Sequence, residues 1–223
     1  MATRYSLVVP VYRNEETIPD LLEALAGIDR ELGGALEVVF VIDGSPDRSL
    51  ALLVDALPRT GLTAQVLEMS RNFGAFAAIR AGLIEATGPH FAVMAADLQE
   101  PPDLAVEFFR RLECDACDVV CGVRAGREDP LRTRLASTLF WAAYRRLVQP
   151  EMPPGGVDVF GCNVRARDAL VSLTEAHSSL IGQLLWIGMR RDEVPYRRRA
   201  RQRGKSAWTW RKKLAYLFDS SLA

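Results

Sequence analysis

Five short apolar runs, the first four each followed by a polar loop and then a helical pattern, constrain this chain more than any other feature. "SLVVPVY" (6–12) leads into "RNEET" and a helix through Leu21, Leu22 and Leu25. "LEVVFVID" (36–43) stops at "GSPD" and gives way to helical residues 48–57. "AQVLEMS" (64–70) precedes "RNFG" and a helix through Ile79 and Leu83. "HFAVMAA" (90–96) and "DVVCGV" (118–123) flank the helix "DLAVEFFRRLE". A strand buried on both faces reads as a continuous apolar run, and alternation with helices predicts an α/β fold with a mainly parallel sheet covered on both sides. Right-handed crossovers then bring the loops "RNEE", "DGSPD", "RNFG" and "DLQEPP" to one edge of the sheet. Ligands of open α/β sheets bind at that carboxyl edge.

That edge is acidic. Asp97 ends the fourth apolar run, and Pro101 and Pro102 stiffen the turn behind it. Two readings of Asp97 compete: a cap for the helix starting near Asp103, or a metal ligand. Asp43 ends the second run and is expected in the same crevice, with Glu15 and Glu16 nearby. Carboxylates gathered around one crevice repel each other unless a cation or a donor-rich ligand joins them.

Beyond residue 123 the alternation breaks. An apolar, arginine-bearing segment runs from Leu131 to Leu147, "QPEMPPGG" is a rigid turn, and "VDVFGCNV" is a further strand. Helices are predicted around 166–187, and "DEVPYRRRA" is an edge strand because Pro195 lies inside it. The 223 residues balance 28 acids against 28 bases, yet nine Arg or Lys and no acid lie between Arg197 and Lys213. The remainder therefore carries about −9. "SAWTWRKKLAYLFDSSLA" closes the chain as an amphipathic helix, with Trp208 and Trp210 beside Arg211, Lys212 and Lys213. Aromatic-basic helices of this kind sit at anionic membrane surfaces. Neither of the longest uncharged stretches reaches the roughly 20 apolar residues of a membrane span. Cys114, Cys117, Cys121 and Cys162 read as thiols in a reducing, cytoplasmic setting, since no second Cys-x-x-Cys pair accompanies the first.

"SLVVPVYRNEETIPDLL", "VVFVIDGSPDRS", "MSRNFGAFAAIRAGLIEATG", "ADLQEPPDL" and "RGKSAWTWRKKL" occur in order along the chain. Together they resemble the family-2 glycosyltransferases, and more narrowly the dolichol-phosphate mannosyltransferase and bacterial polyprenyl-phosphate glycosyltransferase branch. The resemblance implies a GT-A, Rossmann-like nucleotide-diphospho-sugar fold spanning 1–223. Residues 1–123 would form the nucleotide-sugar half, 124–196 the acceptor side, and 197–223 a basic juxtamembrane-like loop and helix. It also implies an inverting transfer from a nucleotide donor to a polyprenyl phosphate, assisted by Mg²⁺ or Mn²⁺, at the inner face of the cell membrane. Asp97 and Gln99 match the metal positions. Pro10, Tyr12, Glu15, Asp43, Gly44, Asn72, Gly74 and Asp97 match the donor site, with Asp43 at the nucleotide base. Arg124, Arg134, Arg201, Lys205 and Ser206, from the basic clusters after the fifth run and in "RQRGKS", are the candidates to hold an acceptor phosphate, and Asp97, Asp158 and Arg124 are the catalytic candidates. Two positions depart from the family pattern. Ile42 replaces the first Asp of "VDDGS", and Ala95 replaces the first carboxylate of Asp-x-Asp. Mg²⁺ typically takes one or two carboxylates plus phosphates, so a single Asp97 still suits a donor-bound ion.

A phosphate acceptor is already largely ionised at neutral pH and needs cations rather than a base. A saccharide hydroxyl acceptor would need a carboxylate base, for which Asp158 is the candidate. A non-catalytic nucleotide-sugar-binding module is the other alternative, motivated by Ala95. Nucleic-acid binding is disfavoured by the acidic remainder and the lack of a recognised module. Dinucleotide oxidoreduction is disfavoured because no G-x-G-x-x-G follows the first run. A homo-oligomer is compatible with the sequence.

Overall fold

A computed structural model of the chain describes residues 3–126, 146, 150–153, 156–173 and 179–199. Among them, seven strands form one sheet in the order β3-β2-β1-β4-β6-β5-β7. The strands are β1 (Tyr5–Val11), β2 (Leu36–Ile42), β3 (Thr63–Glu68), β4 (His90–Val93), β5 (Val119–Gly126), β6 (Val157–Asn163) and β7 (Arg191–Arg197). β1 pairs in parallel with β2 and β4, β2 with β3, and β5 with β7. β6 alone among them runs antiparallel, to both β4 and β5. All the others therefore point the same way, and the predicted common carboxyl edge is present.

The helices are α1 (Ile18–Glu31), α2 (Ser49–Ala56), α3 (Ala75–Glu85), α4 (Asp103–Glu113), α5 (Val164–Ser172) and α6 (Leu180–Trp186). Strand alternation sends Leu7, Val9 and Val11 to a core shared with α1, α2 and α4. Val8 faces the opposite core, shared with α3, α5 and α6. α1 buries Ile18, Leu21, Leu22, Leu25 and Ile28, the i, i+3, i+4 stripe that its sequence dictates. Its first turn carries Pro19, which needs no N–H there, and Asp20, which complements the helix dipole. α4 lies close to the sheet because Gly161 leaves room for Phe108: a Cβ on that glycine would come within 3.0 Å of the Phe108 Cβ.

One expectation shifts in detail. The fourth strand is four residues long rather than seven: pairing with β6 stops at Ala92, although the Met94 amide still donates to the Val8 carbonyl at 3.1 Å. Residues 94–100 thus leave the sheet and wall the crevice. The helices predicted around 166–187 are, among the described residues, α5 and α6, capped by the side chains of Asn163 and Ser179. β7 pairs with β5 alone among the described strands and carries Pro195, as expected of an edge. No described helix is long and apolar enough to cross a membrane. The segment 131–145 and the C-terminal helix predicted for 206–223 lie outside the described residues.

Candidate active site

The chain runs from β1 to β2 to β3 in one direction across the sheet, then jumps to β4 on the other side of β1. That reversal opens a crevice at the carboxyl ends of β1 and β4, the usual ligand position in such sheets. Four loops meet there: 12–17, 43–49, 71–74 and 94–100.

The first two loops are laced together. The Glu15 amide donates to Asp47 Oδ2 at 3.0 Å, and the Arg48 amide donates to Glu15 Oε2 at 3.0 Å. The Ser45 hydroxyl donates to Asp47 Oδ1 at 2.6 Å, and the Arg13 amide donates to Ser45 Oγ at 2.8 Å. Burial pushes the Asp47 carboxyl up, but hydrogen bonds from Ser45, Ser49 and the Glu15 amide outweigh it and hold the group below its ordinary value. Tyr12 lies at the exit of β1, where its amide donates to Asn14 Oδ1 at 2.9 Å, and Pro10 pairs with Val41 inside the sheet.

Asp43 departs from its expected orientation toward open crevice. It is 2% exposed, and its carboxylate accepts from Asn72 Nδ2 at 2.8 Å, the Phe73 amide at 2.7 Å and the Gly74 amide at 2.9 Å. The expected carboxylate repulsion is therefore relieved by loop donors: Asp43, Asp47 and Glu15 are each satisfied by N–H groups of a neighbouring loop. Gly44 makes the close approach feasible. Its φ is +55°, and a Cβ there would sit 2.3 Å from the Arg71 carbonyl carbon. Gly74 has φ 99° and ψ 158°, a conformation essentially reserved for glycine, and starts α3. The Phe73 ring stays 45% exposed with the Arg71 guanidinium 3.9 Å from its centroid.

The fourth loop carries Asp97. α4 begins after Pro102 with no side-chain cap, so Asp97 does not cap that helix. Its Oδ1 instead accepts from the Gln99 amide at 3.3 Å, closing a tight turn in which Leu98 has φ 54°. A leucine in that region costs about 1–3 kcal/mol and persists only where its surroundings enforce it. Here the Thr17 hydroxyl donates to the Ala96 carbonyl at 2.9 Å, and Leu98 packs on the core. Among the described residues no cluster of three or more His, Cys, Asp or Glu has metal-binding geometry. With Ala95 in place of a carboxylate, Asp97 fits a hard cation held mainly by ligand phosphates and water. The Gln99 Oε1 accepts from Arg198 Nη2 at 2.7 Å.

Asp158 and Arg124 come together. Arg124 Nε donates to Asp158 Oδ2, and the Tyr196 hydroxyl donates to the same oxygen at 2.8 Å. Burial pushes the Tyr196 hydroxyl far up, with the neighbouring carboxylates adding to the effect. Arg134, Arg201, Lys205 and Ser206 lie outside the described residues. Sequence reasoning missed Asp47, Glu100, Tyr196 and Arg198. Glu100 is 2% exposed, and burial pushes its carboxyl up to about 7 despite the Arg198 guanidinium. The visible signal was an acid set between "DLQ" and two prolines. A separate hollow of about 350 Å³, lined by residues such as Cys121, Glu151 and Arg191, lies toward the start of β7 and away from this edge.

A seven-stranded sheet with one reversed strand and loops converging at a β1/β4 switch point defines a nucleotide-sugar-transferase type of α/β fold. Solved structures agree. Glucosyl-3-phosphoglycerate synthase from Mycobacterium tuberculosis, solved with Mn²⁺, UDP-glucose and phosphoglyceric acid, superposes with a TM-score of 0.66 at 17% identity, covering 99% of this chain and 77% of that one. A mannosyltransferase from Pyrobaculum calidifontis, in complex with GDP-Man and Mn²⁺, superposes with a TM-score of 0.59 at 18% identity, covering 87% and 55%. The glycosyl transferase family 2 model matches residues 6–173, and the chain belongs to that family. Similar curated proteins include the undecaprenyl-phosphate 4-deoxy-4-formamido-L-arabinose transferases of Pseudomonas aeruginosa and Pectobacterium carotovorum. The first is 37% identical over 161 residues, covering 72% of this chain and 46% of its own length. The second is 39% identical over 165 residues, covering 72% and 47%. An uncharacterized glycosyltransferase of Synechocystis is 27% identical over 220 residues, covering 98% and 69%. The chain spans about half the length of the undecaprenyl-phosphate transferases it matches.

Proposed function

We propose that the chain transfers a sugar from a nucleotide-diphospho-sugar to a polyprenyl phosphate, with inversion at the anomeric carbon. The observation that carries this reading is the convergence of the 12–17, 43–49, 71–74 and 94–100 loops on the switch point, with Asp97 on the turn after β4. Family membership supplies the reaction class. The names of the P. aeruginosa and Pectobacterium relatives supply the acceptor class.

In this reading Asp43 organises the donor pocket by fixing Asn72, Phe73 and Gly74. The nucleoside meets the exposed Phe73 ring and the Tyr12 loop. Asp97 would hold a Mg²⁺ or Mn²⁺ ion, which would supply Lewis-acid stabilisation of the departing diphosphate. The acceptor phosphate oxygen forms the new bond to the anomeric carbon as the bond to the nucleoside diphosphate breaks, and the electron pair leaves with the diphosphate. The acceptor is already ionised and needs no proton removed. Asp158 supports this over a hydroxyl acceptor: its Oδ2 is taken by Arg124 and Tyr196, an arrangement that suits holding Arg124 in place better than accepting a proton. Arg124 would face the acceptor phosphate together with Arg134, Arg201, Lys205 and Ser206. The basic, tryptophan-bearing C-terminus would bring the site to the membrane face where that lipid resides.

The test is incubation of the chain with labelled UDP- and GDP-sugars, Mn²⁺ and undecaprenyl phosphate in detergent. Label moving into the lipid fraction, lost with Asp97→Ala, is the expected result. Transfer to a soluble saccharide but not to the lipid would overturn the acceptor assignment.

A further inference from the structure

The turn that carries Asp97 is fastened to a segment a hundred residues away. The Arg199 amide donates to the Gln99 carbonyl at 2.8 Å, and Gln99 Nε2 donates back to the Arg199 carbonyl at 3.3 Å. Arg198 Nη2 donates to Gln99 Oε1 at 2.7 Å. Both ends of the Gln99 side-chain amide are thus committed to the exit of β7. Beside them, Arg198 Nε stands 3.6 Å from Glu100 Oε1. Arg198 Nε and Glu100 Oε2 are both buried and lack hydrogen-bond partners among the described residues. A buried donor or acceptor left unmade costs about 1–3 kcal/mol, and the Arg198 cation offsets only part of the burial that pushes the Glu100 carboxyl up. Two residues upstream, Tyr196 binds Asp158 and through it Arg124. The end of β7 therefore touches the Asp97 turn through Arg198 and the Arg124 pair through Tyr196.

We propose that Gln99, Glu100 and Arg198 form a latch that fixes the Asp97 turn against the exit of β7, and that Arg198 is a positioning residue for the donor-binding edge. The proposal rests on the reading of that edge as a nucleotide-diphosphate site. It gives Gln99 the role of a dock for β7 beside Asp97. Arg198 touches no substrate; it acts by holding the strained Leu98 turn, and with it Asp97, in one conformation. The distance between the two halves of the latch explains why their pairing is not legible in the local sequence.

The test compares the full chain with Arg198→Ala, Arg198→Lys and the double variant Arg198→Ala/Glu100→Gln. Hydrogen–deuterium exchange reads the 95–100 amides, and calorimetry reads Mn²⁺-dependent binding of UDP and GDP. Arg198→Ala is expected to speed exchange at 98–100 while β1 and β2 stay protected, and to weaken Mn²⁺-dependent nucleotide binding by about tenfold. Arg198→Lys is expected to recover most of both. Glu100→Gln in the Arg198→Ala background is expected to change little further, because burial already pushes the Glu100 carboxyl up to about 7 and losing the Arg198 cation pushes it higher, leaving it largely protonated at neutral pH. Unchanged exchange at 98–100 in Arg198→Ala would overturn the proposal. So would faster exchange across the whole sheet, which would mark a general loss of stability. A wild-type chain that binds neither nucleotide would overturn the functional reading, and the exchange arm would still decide the latch.

Discussion

At the scale of single residues, the site depends on side chains that shape its own loops. Asp43 is the clearest instance. Its side chain organises three donors of the 71–74 loop, so Asp43→Ala leaves two loop amides without their acceptor, at about 1–3 kcal/mol each. The expected outcome is a lower urea midpoint together with weaker donor binding; a variant that loses donor binding at unchanged stability would mean that Asp43 contacts the donor directly. Gly44→Ala tests the same joint from the other side. Its Cβ would overlap the Arg71 backbone, and its φ of +55° disfavours any side chain. A loss of about 2 kcal/mol or more is expected in urea denaturation. An unchanged midpoint would contradict the tight packing of this loop. The position of Asp43 at the crevice was legible from the apolar run before it. Its burial was not, because its partners lie about thirty residues on and only the fold brings them near.

At the scale of elements, the apolar runs foretold β1, β2, β4 and β5 because a strand buried on both faces has few polar positions to confuse the pattern. The direction of β6 was not legible. A buried strand reads alike in either direction, and only the register of Phe91 with Cys162 and Val119 with Cys162 reveals the reversal. The amino ends of β5 and β7 and the end of β6 are joined by Asp118, which accepts from the Arg190 guanidinium at 2.9 Å and from Asn163 Nδ2 at 2.9 Å. Those hydrogen bonds, Arg190 first, hold its carboxyl well below the usual carboxylate range. A depressed folded-state value means that the stabilisation is present above the unfolded value of about 4 and is lost as pH falls below it. The wild-type urea midpoint should therefore drop as pH falls from about 5 toward 3, and Asp118→Asn should flatten that slope while lowering the midpoint at pH 7. An identical pH slope in both proteins would remove Asp118 from the account.

At the scale of the whole molecule, the chain gathers its chemistry where the order of strands reverses. Loops from both halves of the sheet meet there, and the Arg124–Asp158–Tyr196 group stands on the β5–β7 side of Asp97. The family motifs made this edge legible in advance. The contacts between Gln99, Glu100 and Arg198 were not, since an ion pair across a hundred residues leaves no mark on local composition. The measurement that tests the central claim most directly is calorimetric titration of UDP-, GDP-, CDP- and dTDP-sugars into the chain with Mn²⁺ and with the metal chelated, repeated for Asp97→Ala. The account predicts that one donor binds, that its affinity falls by about tenfold or more on chelation, and that Asp97→Ala abolishes this metal dependence. A donor bound equally well with and without metal, or a metal dependence that survives Asp97→Ala, would contradict it.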